Sequence, residues 1–398
     1  MATLGVIVFA LALLASIALH ELGHLVTAKH YGMKASRYFI GMGPTLWSTH
    51  RGETEYGLKA FPIGGFVKIV GMTQLEELDD PADEPRAFWR QPAPQRAVVL
   101  AAGSFMHFVI AAVLIFTALV AFGEPLDNTT RVDKVYACLE PDPTTDCAGK
   151  PVAPAQAAGL KAGDRIVELD GKPVTNWKND FSDPVHAHAA GPAQVVVERD
   201  GARVPLTVTV ERIPAKDANG DPTTEGRIGV LPGEVKRSNP VSAVARSGGL
   251  MWELTSGSAK ALVEIPGKLP DLFRDTAKGT PRTVDDAGPV SVVDLGRFSA
   301  DAFSSRNFIA VLSMLAAVNV FIGLFNLLPL LPLDGGHLAV LAFESARSRI
   351  ARLLGRRDPG RVDLRKLMPA MIGFIVVMGS LTVVLLYAGI TNPIASPF

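Results

Sequence analysis

"SIALHELGHLVTAK", residues 16–29, decides how this chain is read. His20 and His24 are four residues apart. On a helix their imidazoles therefore stand one turn apart on a single face, with Glu21 beside them. Two imidazoles and a carboxylate suit a divalent metal, zinc best, with one position left for water. Glu21 suits the base that takes that water's proton. Yet residues 2–19 carry no charge and read as a membrane span. Ionisable groups at the end of an apolar span are costly and functional by default, so the motif is read as a site rather than an interfacial anchor.

The rest of the composition agrees with a membrane setting. Of 398 residues, 48% are hydrophobic, and mean hydropathy is +0.25. Lys plus Arg, 39, equals Asp plus Glu, 39, so no basic excess points to nucleic acid, and none is expected as a partner. Four apolar stretches, 2–26, 97–122, 307–331 and 368–390, reach the roughly 20 residues that a helical span needs. The first lacks the positive start of a cleaved signal peptide and carries the HExxH motif at its end, so it is read as a span.

Charge sets the topology. Nine Lys or Arg residues lie between Lys29 and Arg96, and eight between Arg347 and Lys366, while the N-terminus and the tail after Leu386 have none. The positive-inside rule puts both basic loops in the cytoplasm, and both termini and segment 123–306 outside. Spans one and three then run in the same direction and end on the same side. That brings "NLLPLLPLDGGH", residues 326–337, to the depth of the HExxH motif. Asp334 is the candidate third ligand, with Pro329 and Pro332 breaking the helix before it; unwound backbone at that depth is tolerated only in a buried or watery setting. At ~1.5 Å per residue, His20 lies ~27 Å along the helix from Ala2, near the cytoplasmic interface.

Outside the spans, "RVDKVYACL", "GDRIVELDGKPV", "AQVVVERDG" and "RVPLTVTVER" predict strands, with turns at Asp170-Gly171 and Asp200-Gly201. "PAKDANGDPTTEG" reads as a linker. A helix is predicted from Pro240, capped by Asn239, with a weak stripe of Val241, Val244, Gly248, Met251, Thr255, Ser258 and Leu262. The stripe either rests on the membrane or packs on the folded domain; packing is the expectation. "FPIGGFVKIV" (61–70) predicts an apolar hairpin with a Gly-Gly turn. Cys138 and Cys147, the two cysteines, form a small disulfide loop if this stretch is extracytoplasmic, or remain thiols; no CxxC exists.

HELGH together with "NLLPLLPLDGGH" resembles the site-2 protease family of intramembrane zinc metalloproteases, in its bacterial RseP-like branch. "YGLKAFPIGGFVKIVGM" (56–72) looks like that branch's membrane-reentrant β-hairpin, and "FWRQPAPQRAVVLAAG" (88–103) like its approach to the second span. "PAQAAGLKAGDRIVELDGKPV" (154–174) is similar to a bacterial PDZ domain, and "GPVSVVDLG" (288–296) to the segment before the third span. The resemblance implies a polytopic α-helical membrane protein of four transmembrane helices, with a membrane-reentrant β-hairpin and an extracytoplasmic α+β PDZ domain. The expected divisions are 1–122 (first two spans, HExxH and hairpin), 123–213 (one PDZ domain), 214–306 (linker and amphipathic helical segment) and 307–398 (last two spans with the LDG motif).

By the same resemblance, His20, His24 and Asp334 bind Zn2+ and Glu21 is the catalytic acid/base. Asn326 lies near the substrate, and Gly64, Gly65 and Phe66 form a strand edge on which an unwound substrate pairs. The implied activity is intramembrane endoproteolysis of single-pass membrane proteins. Anti-sigma factors already cut outside the membrane, or signal-peptide remnants, are the expected substrates in a bacterial plasma membrane. Two other readings are weighed against it. A non-catalytic PDZ adaptor would commonly have lost Glu21 or a ligand. A metal transporter would thread its ligands through the bilayer rather than cluster them at one end. The family's Gly-Pro-x-x-Asn pattern in the second span is here Gly103-Ser104-Phe105-Met106-His107, so any contact made by the usual Asn is in doubt. His107 is expected as a polar neighbour of the site, not a ligand.

Overall fold

The computed structural model describes residues 2–72, 78, 80–125, 129–139, 147, 151–216, 222–233, 235–278, 289–305 and 307–394. It forms two compact units, Met1–Ala121 with Asn239–Phe398, and Phe122–Ser238. Each is described by itself.

In the first unit, α1 (Ala2–His30) has no acidic residue in its first turn and Lys29 and His30 in its last. It leads into two long strands, β1 (Ala35–Arg51) and β2 (Thr54–Ile69). α2 (Ala93–Thr117) follows, continued by a π-helical turn to Phe122. After the second unit come α5 (Pro240–Lys278), α6 (Val292–Ser304), α7 (Phe308–Asn326), α8 (Asp334–Leu353) and α9 (Met368–Thr391). Among the described residues, four helices are long and apolar enough to cross a membrane: Thr3–His30, Ala93–Phe122, Phe308–Asn326 and Leu364–Thr391. Their outer faces expose large apolar side chains such as Ile7, Leu11, Phe105, Val113, Val377 and Ile390, as lipid contact requires. The third span ends at Asn326, earlier than the 331 expected. The cause is the Pro329–Pro332 stretch, whose missing N–H groups and fixed φ cannot continue a helix.

The β1–β2 pair corrects the predicted hairpin. Its turn lies at Gly52-Glu53, where Gly52 has φ +65°, and not at Gly64-Gly65. Both nitrogens of the Arg86 guanidinium fork hold the Glu53 carboxylate, at 2.6 and 2.7 Å, and so pin the turn. β2 does reverse direction between Leu58 and Gly65, near Gly64 at φ +79°, but its two arms flank residues 37–40 instead of pairing with each other. β2 therefore folds back alongside β1: residues 37–40 pair with 65–68 on one side and with 55–58 on the other. Residues 61–69 form the outer strand, against which α1 packs. Around this junction Leu25, Met33, Ile69, Phe88, Val99, Leu100 and Leu341 form one apolar core from α1, the sheet, α2 and α8.

α5 begins at Pro240 under its predicted cap: the Ser242 N–H donates to Asn239 Oδ1 at 2.9 Å. The predicted stripe holds from Met251 onward, where Met251, Thr255, Ser258 and Leu262 are half-buried, but not at its start, since Val241 and Val244 are 84% and 66% exposed. Ala243, Leu250 and Leu254 join Met251 in packing on Ala111, Ile115, Ala316 and Val320 of α2 and α7. The apolar partner that fixes this face lies far away in sequence, so periodicity alone does not find it.

The second unit holds β3 (Glu124–Pro125), β4 (Val132–Val135), α3 (Pro154–Ala157), β5 (Arg165–Leu169), β6 (Lys172–Pro173), α4 (Asp183–Ala187), β7 (Gly191–Arg199), β8 (Ala202–Lys216), β9 (Pro222–Arg227), β10 (Val230–Pro232) and β11 (Val235–Lys236). Its main sheet has the order β6-β5-β7-β8-β9. Asp170-Gly171 and Asp200-Gly201 make left-handed turns at φ +49°/+77° and +51°/+79°, as two-residue hairpins require. Ile166, Phe181, Val195, Val197, Val208 and Ile228 fill the core. The unit extends beyond the expected limit at 213, because the "linker" is the far end of a β8–β9 hairpin in which Lys216 pairs with Pro222. Residues 217–221 of that stretch, and Gly288 of the predicted approach to the third span, lie outside the described residues. Cys138 and Cys147 are joined as a disulfide.

Candidate metal centre

α1 and α7 end on the same side, and Leu327–Leu333 turns the chain so that Asp334 opens α8 beside the two histidines. Three atoms converge there. His20 Nε2 and His24 Nε2 are 3.2 Å apart, and each lies 3.4 Å from Asp334 Oδ2. Ligand atoms bonded to a tetrahedral zinc at about 2.0–2.1 Å stand roughly 3.3 Å from one another, so the triangle has the size of one face of that tetrahedron. Asp334 Oδ2 is buried and has no hydrogen-bond partner, a costly state for a carboxylate unless a cation meets it. Among the described residues this is the one group of three metal-capable side chains so placed.

The orientation of His24 is set from behind. Its Nδ1 lies 2.7 Å from the Val99 carbonyl. A carbonyl only accepts, so Nδ1 carries the proton and Nε2 keeps its lone pair for the metal. Gly103 on α2 forms the wall opposite. A Cβ there would stand 2.3 Å from His24 Nε2 and 2.7 Å from His20 Nε2, so only a residue without a side chain leaves the centre open. On the other side, a Cβ on Gly335 would meet the Leu327 carbonyl at 2.2 Å; its absence lets α8 start tight against the turn that delivers Asp334.

Glu21 is one position on from His20 and turns toward the sheet, with its carboxylate near the Val67 backbone N–H. The Cβ position of Gly65 is 3.2 Å from Glu21 Cγ. The outer strand containing Gly64, Gly65 and Phe66 thus runs directly beside the candidate base, with Phe66 stacked on Phe39 at 5.6 Å. Asn326 is the half-buried last residue of α7 and is not among the converging ligand atoms.

His107 lies next to the centre, its ring 5.0 Å from that of His20. Asn319 Nδ2 donates to the Leu315 carbonyl at 2.8 Å, which turns Asn319 Oδ1 toward His107 Nδ1 at 2.9 Å. Both side chains are essentially fully buried. Sequence reasoning placed His107 near the site but missed Asn319 and the roles of Gly103 and the Val99 carbonyl. Two polar residues in apolar spans were the available signal for the His107–Asn319 pair; nothing local marks Gly103 or Val99.

Residues 8–356 match Peptidase family M50. The zinc metalloprotease Rip1 of Mycobacterium tuberculosis is 37% identical over 403 residues, covering 98% of both chains. Rip1 of Mycolicibacterium smegmatis is 36% identical over 408 residues, again 98% of each. A putative zinc metalloprotease of Brucella suis is 28% identical over 356 residues, 86% of each. A ligand triangle of zinc dimensions at the ends of two spans, and a family match over most of the length, lead to one conclusion: the chain belongs to peptidase family M50, the site-2 protease family.

Proposed function

We propose that His20, His24 and Asp334 hold zinc and that Glu21 is the general base and acid of an intramembrane endopeptidase. The enzyme class follows from the family: the protein is an intramembrane zinc metalloprotease acting on membrane-protein substrates. The residue roles rest above all on the triangle of Nε2, Nε2 and Oδ2 atoms walled by Gly103. Zinc bound there supplies a Lewis acid for the scissile carbonyl and lowers the pKa of water near it. Glu21 takes the proton of the attacking water and passes it to the leaving amine. A helical substrate offers no accessible carbonyl, since each is bonded within the helix. The outer strand at 61–69, beside Glu21, is where an extended substrate segment adds by backbone pairing, with Asn326 steadying the substrate backbone. With all four zinc and base residues retained, an adaptor role has no observation in its favour.

The positive-inside rule supports both basic loops facing the cytoplasm of a bacterial cell, with termini and second unit outside. The sheet beside Glu21 is read as a membrane-reentrant hairpin and the second unit as a PDZ domain. In support of the latter, a cavity of about 330 Å³, lined by Tyr136, Trp177, Phe181, Val185, Ile228 and Gly229, opens in that unit with room for a peptide end. Single-pass proteins trimmed by a first cut, anti-sigma factors foremost, and signal-peptide remnants are the substrates this reading expects. The test is Glu21→Gln in the full-length enzyme with a single-pass substrate. Cleavage should vanish while zinc content stays at the wild-type level; cleavage that persists overturns the assignment of Glu21.

A further inference from the structure

α8 carries three faces, and only one of them is accounted for by the fold. Leu341, Glu344 and Ala351 are buried against the rest of the unit, Glu344 meeting Arg96 at 3.6 Å and accepting from the Val362 N–H at 2.8 Å. Rotated away from that face, Phe343, Ile350, Leu353 and the following Leu354 are 58%, 56%, 80% and 62% exposed. With Ala346 these positions share one stripe at helical spacing. Beside the stripe stand Arg349 and Arg352, and just beyond the helix Arg356 and Arg357, all exposed.

We infer that α8 is an interfacial helix that lays its apolar stripe into one leaflet and binds the headgroups of anionic phospholipids through Arg349, Arg352, Arg356 and Arg357. Three observations converge on this occupant. First, the helix is held near a membrane surface at both ends: it follows the span ending at Asn326, and the chain re-enters a span at Leu364. Second, the four guanidinium charges are not neutralised within the fold, Arg352 Nε donating only to the uncharged Ser348 carbonyl at 3.3 Å. Among the described residues none of the four makes an ion pair, and the nearby carboxylates are engaged locally: Asp358 accepts from Ser348 Oγ and the Gly360 N–H, each at 2.9 Å, and Asp363 from the Arg365 N–H at 3.0 Å. Third, apolar stripe and cationic fringe lie side by side, the arrangement of helices that lie in the plane of an anionic interface. A soluble protein partner would need only the stripe; the unpaired positive fringe selects a surface of diffuse negative charge. The inference requires that α7 and α9 cross the membrane and is independent of the catalytic roles, so loss of cleavage does not bear on it.

The test uses the full-length protein with Ile350→Cys carrying an environment-sensitive fluorophore; the two native cysteines are already joined. It is placed in nanodiscs of phosphatidylcholine alone or with phosphatidylglycerol, each containing a trace of spin-labelled quencher lipid. The label should be quenched strongly in the anionic discs and weakly in the neutral ones. The variant R349Q/R352Q/R356Q/R357Q should bring quenching in anionic discs down to the neutral level. Its preference for retaining phosphatidylglycerol over phosphatidylcholine, read by native mass spectrometry, should drop at least about tenfold, since each charge near such a surface is worth roughly fivefold in partitioning. Unchanged zinc content shows that the variant is folded. Equal quenching in both lipids, or none in either, overturns the inference. So does a label shielded in detergent only as protein concentration rises, which would make the stripe a contact between copies.

Discussion

Gly103→Ala is the smallest change that puts the metal centre to the test, because it adds one methyl group on a helix that tolerates alanine well. The added Cβ would sit 2.3 Å from His24 Nε2 and 2.6 and 2.7 Å from His20 Cε1 and Nε2. Non-bonded heavy atoms in contact lie at roughly 3.5–4.0 Å, so α1 and α2 must part, or both rings must swing, by about 1 Å or more. Zinc sites hold their bond lengths within about 0.2 Å, so neither response leaves two histidine ligands in place. A misplacement of about 1 Å costs on the order of 100-fold in rate, and here it falls on two ligands. Zinc affinity and kcat/KM should both fall at least about 100-fold. The assays are zinc content of the purified enzyme after equilibration with graded chelator, and cleavage of a single-pass substrate. Gly373→Ala on α9, where a Cβ meets nothing within 4 Å, is the control and should keep both. It should also stabilise the helix slightly, alanine being favoured over glycine by roughly 1 kcal/mol. Wild-type zinc binding and turnover in Gly103→Ala would refute the placement of the metal against this wall.

Asp334→Asn keeps the shape of the third ligand and removes its charge; zinc should be stripped at chelator concentrations about 100-fold lower than for wild type, with the helical content by circular dichroism unchanged. His107→Leu leaves the buried Asn319 Oδ1 without its donor and should destabilise the chain by about 1–3 kcal/mol, whereas His107→Leu with Asn319→Leu should recover most of that, as thermal unfolding will show. Asp164, 2% exposed, is held by Arg199 through two bonds of 2.7 Å. Burial pushes its carboxyl up, but the Arg199 fork and the Lys161 N–H outweigh that and hold it below the ordinary carboxylate range. Its contribution to stability is therefore full above the unfolded carboxyl pKa, about 4, and is lost as pH falls through the lower folded value. Hydrogen exchange of β5 and β7 in the full-length protein should show this acid sensitivity, and Asp164→Asn should abolish it while weakening protection at neutral pH.

The elements that could be read in advance were those whose cause is local. The four spans follow from uninterrupted apolar runs, the two Asp-Gly turns from residues that tolerate positive φ, and the α5 start from Asn239 and Pro240. The Gly64-Gly65 hairpin was half legible: the chain does reverse near Gly64, but glycine licenses the turn without saying what its arms pair with, and here residues 37–40 lie between them. The turn that pairs β1 with β2 sits at Gly52-Glu53, where Arg86, more than thirty residues on, clamps Glu53. Likewise "PAKDANGDPTTEG" has linker composition, yet the pairing of Lys216 with Pro222 makes its ends into strands.

For the site, the chain's own pattern determined the reagents. His20, Glu21 and His24 are related by helical geometry, and Asp334 was linked to them by counting the directions of the spans. Charge and periodicity act over a few residues, which is why they survive in a linear string. Only the tertiary structure decided the size of the ligand triangle, the proton position on His24 imposed by the Val99 carbonyl, the bare wall at Gly103, the His107–Asn319 pair and the strand edge beside Glu21. Each depends on two segments that are neighbours in space alone. Close packing turns such neighbours into constraints of a few tenths of an ångström, which no local pattern of residues encodes.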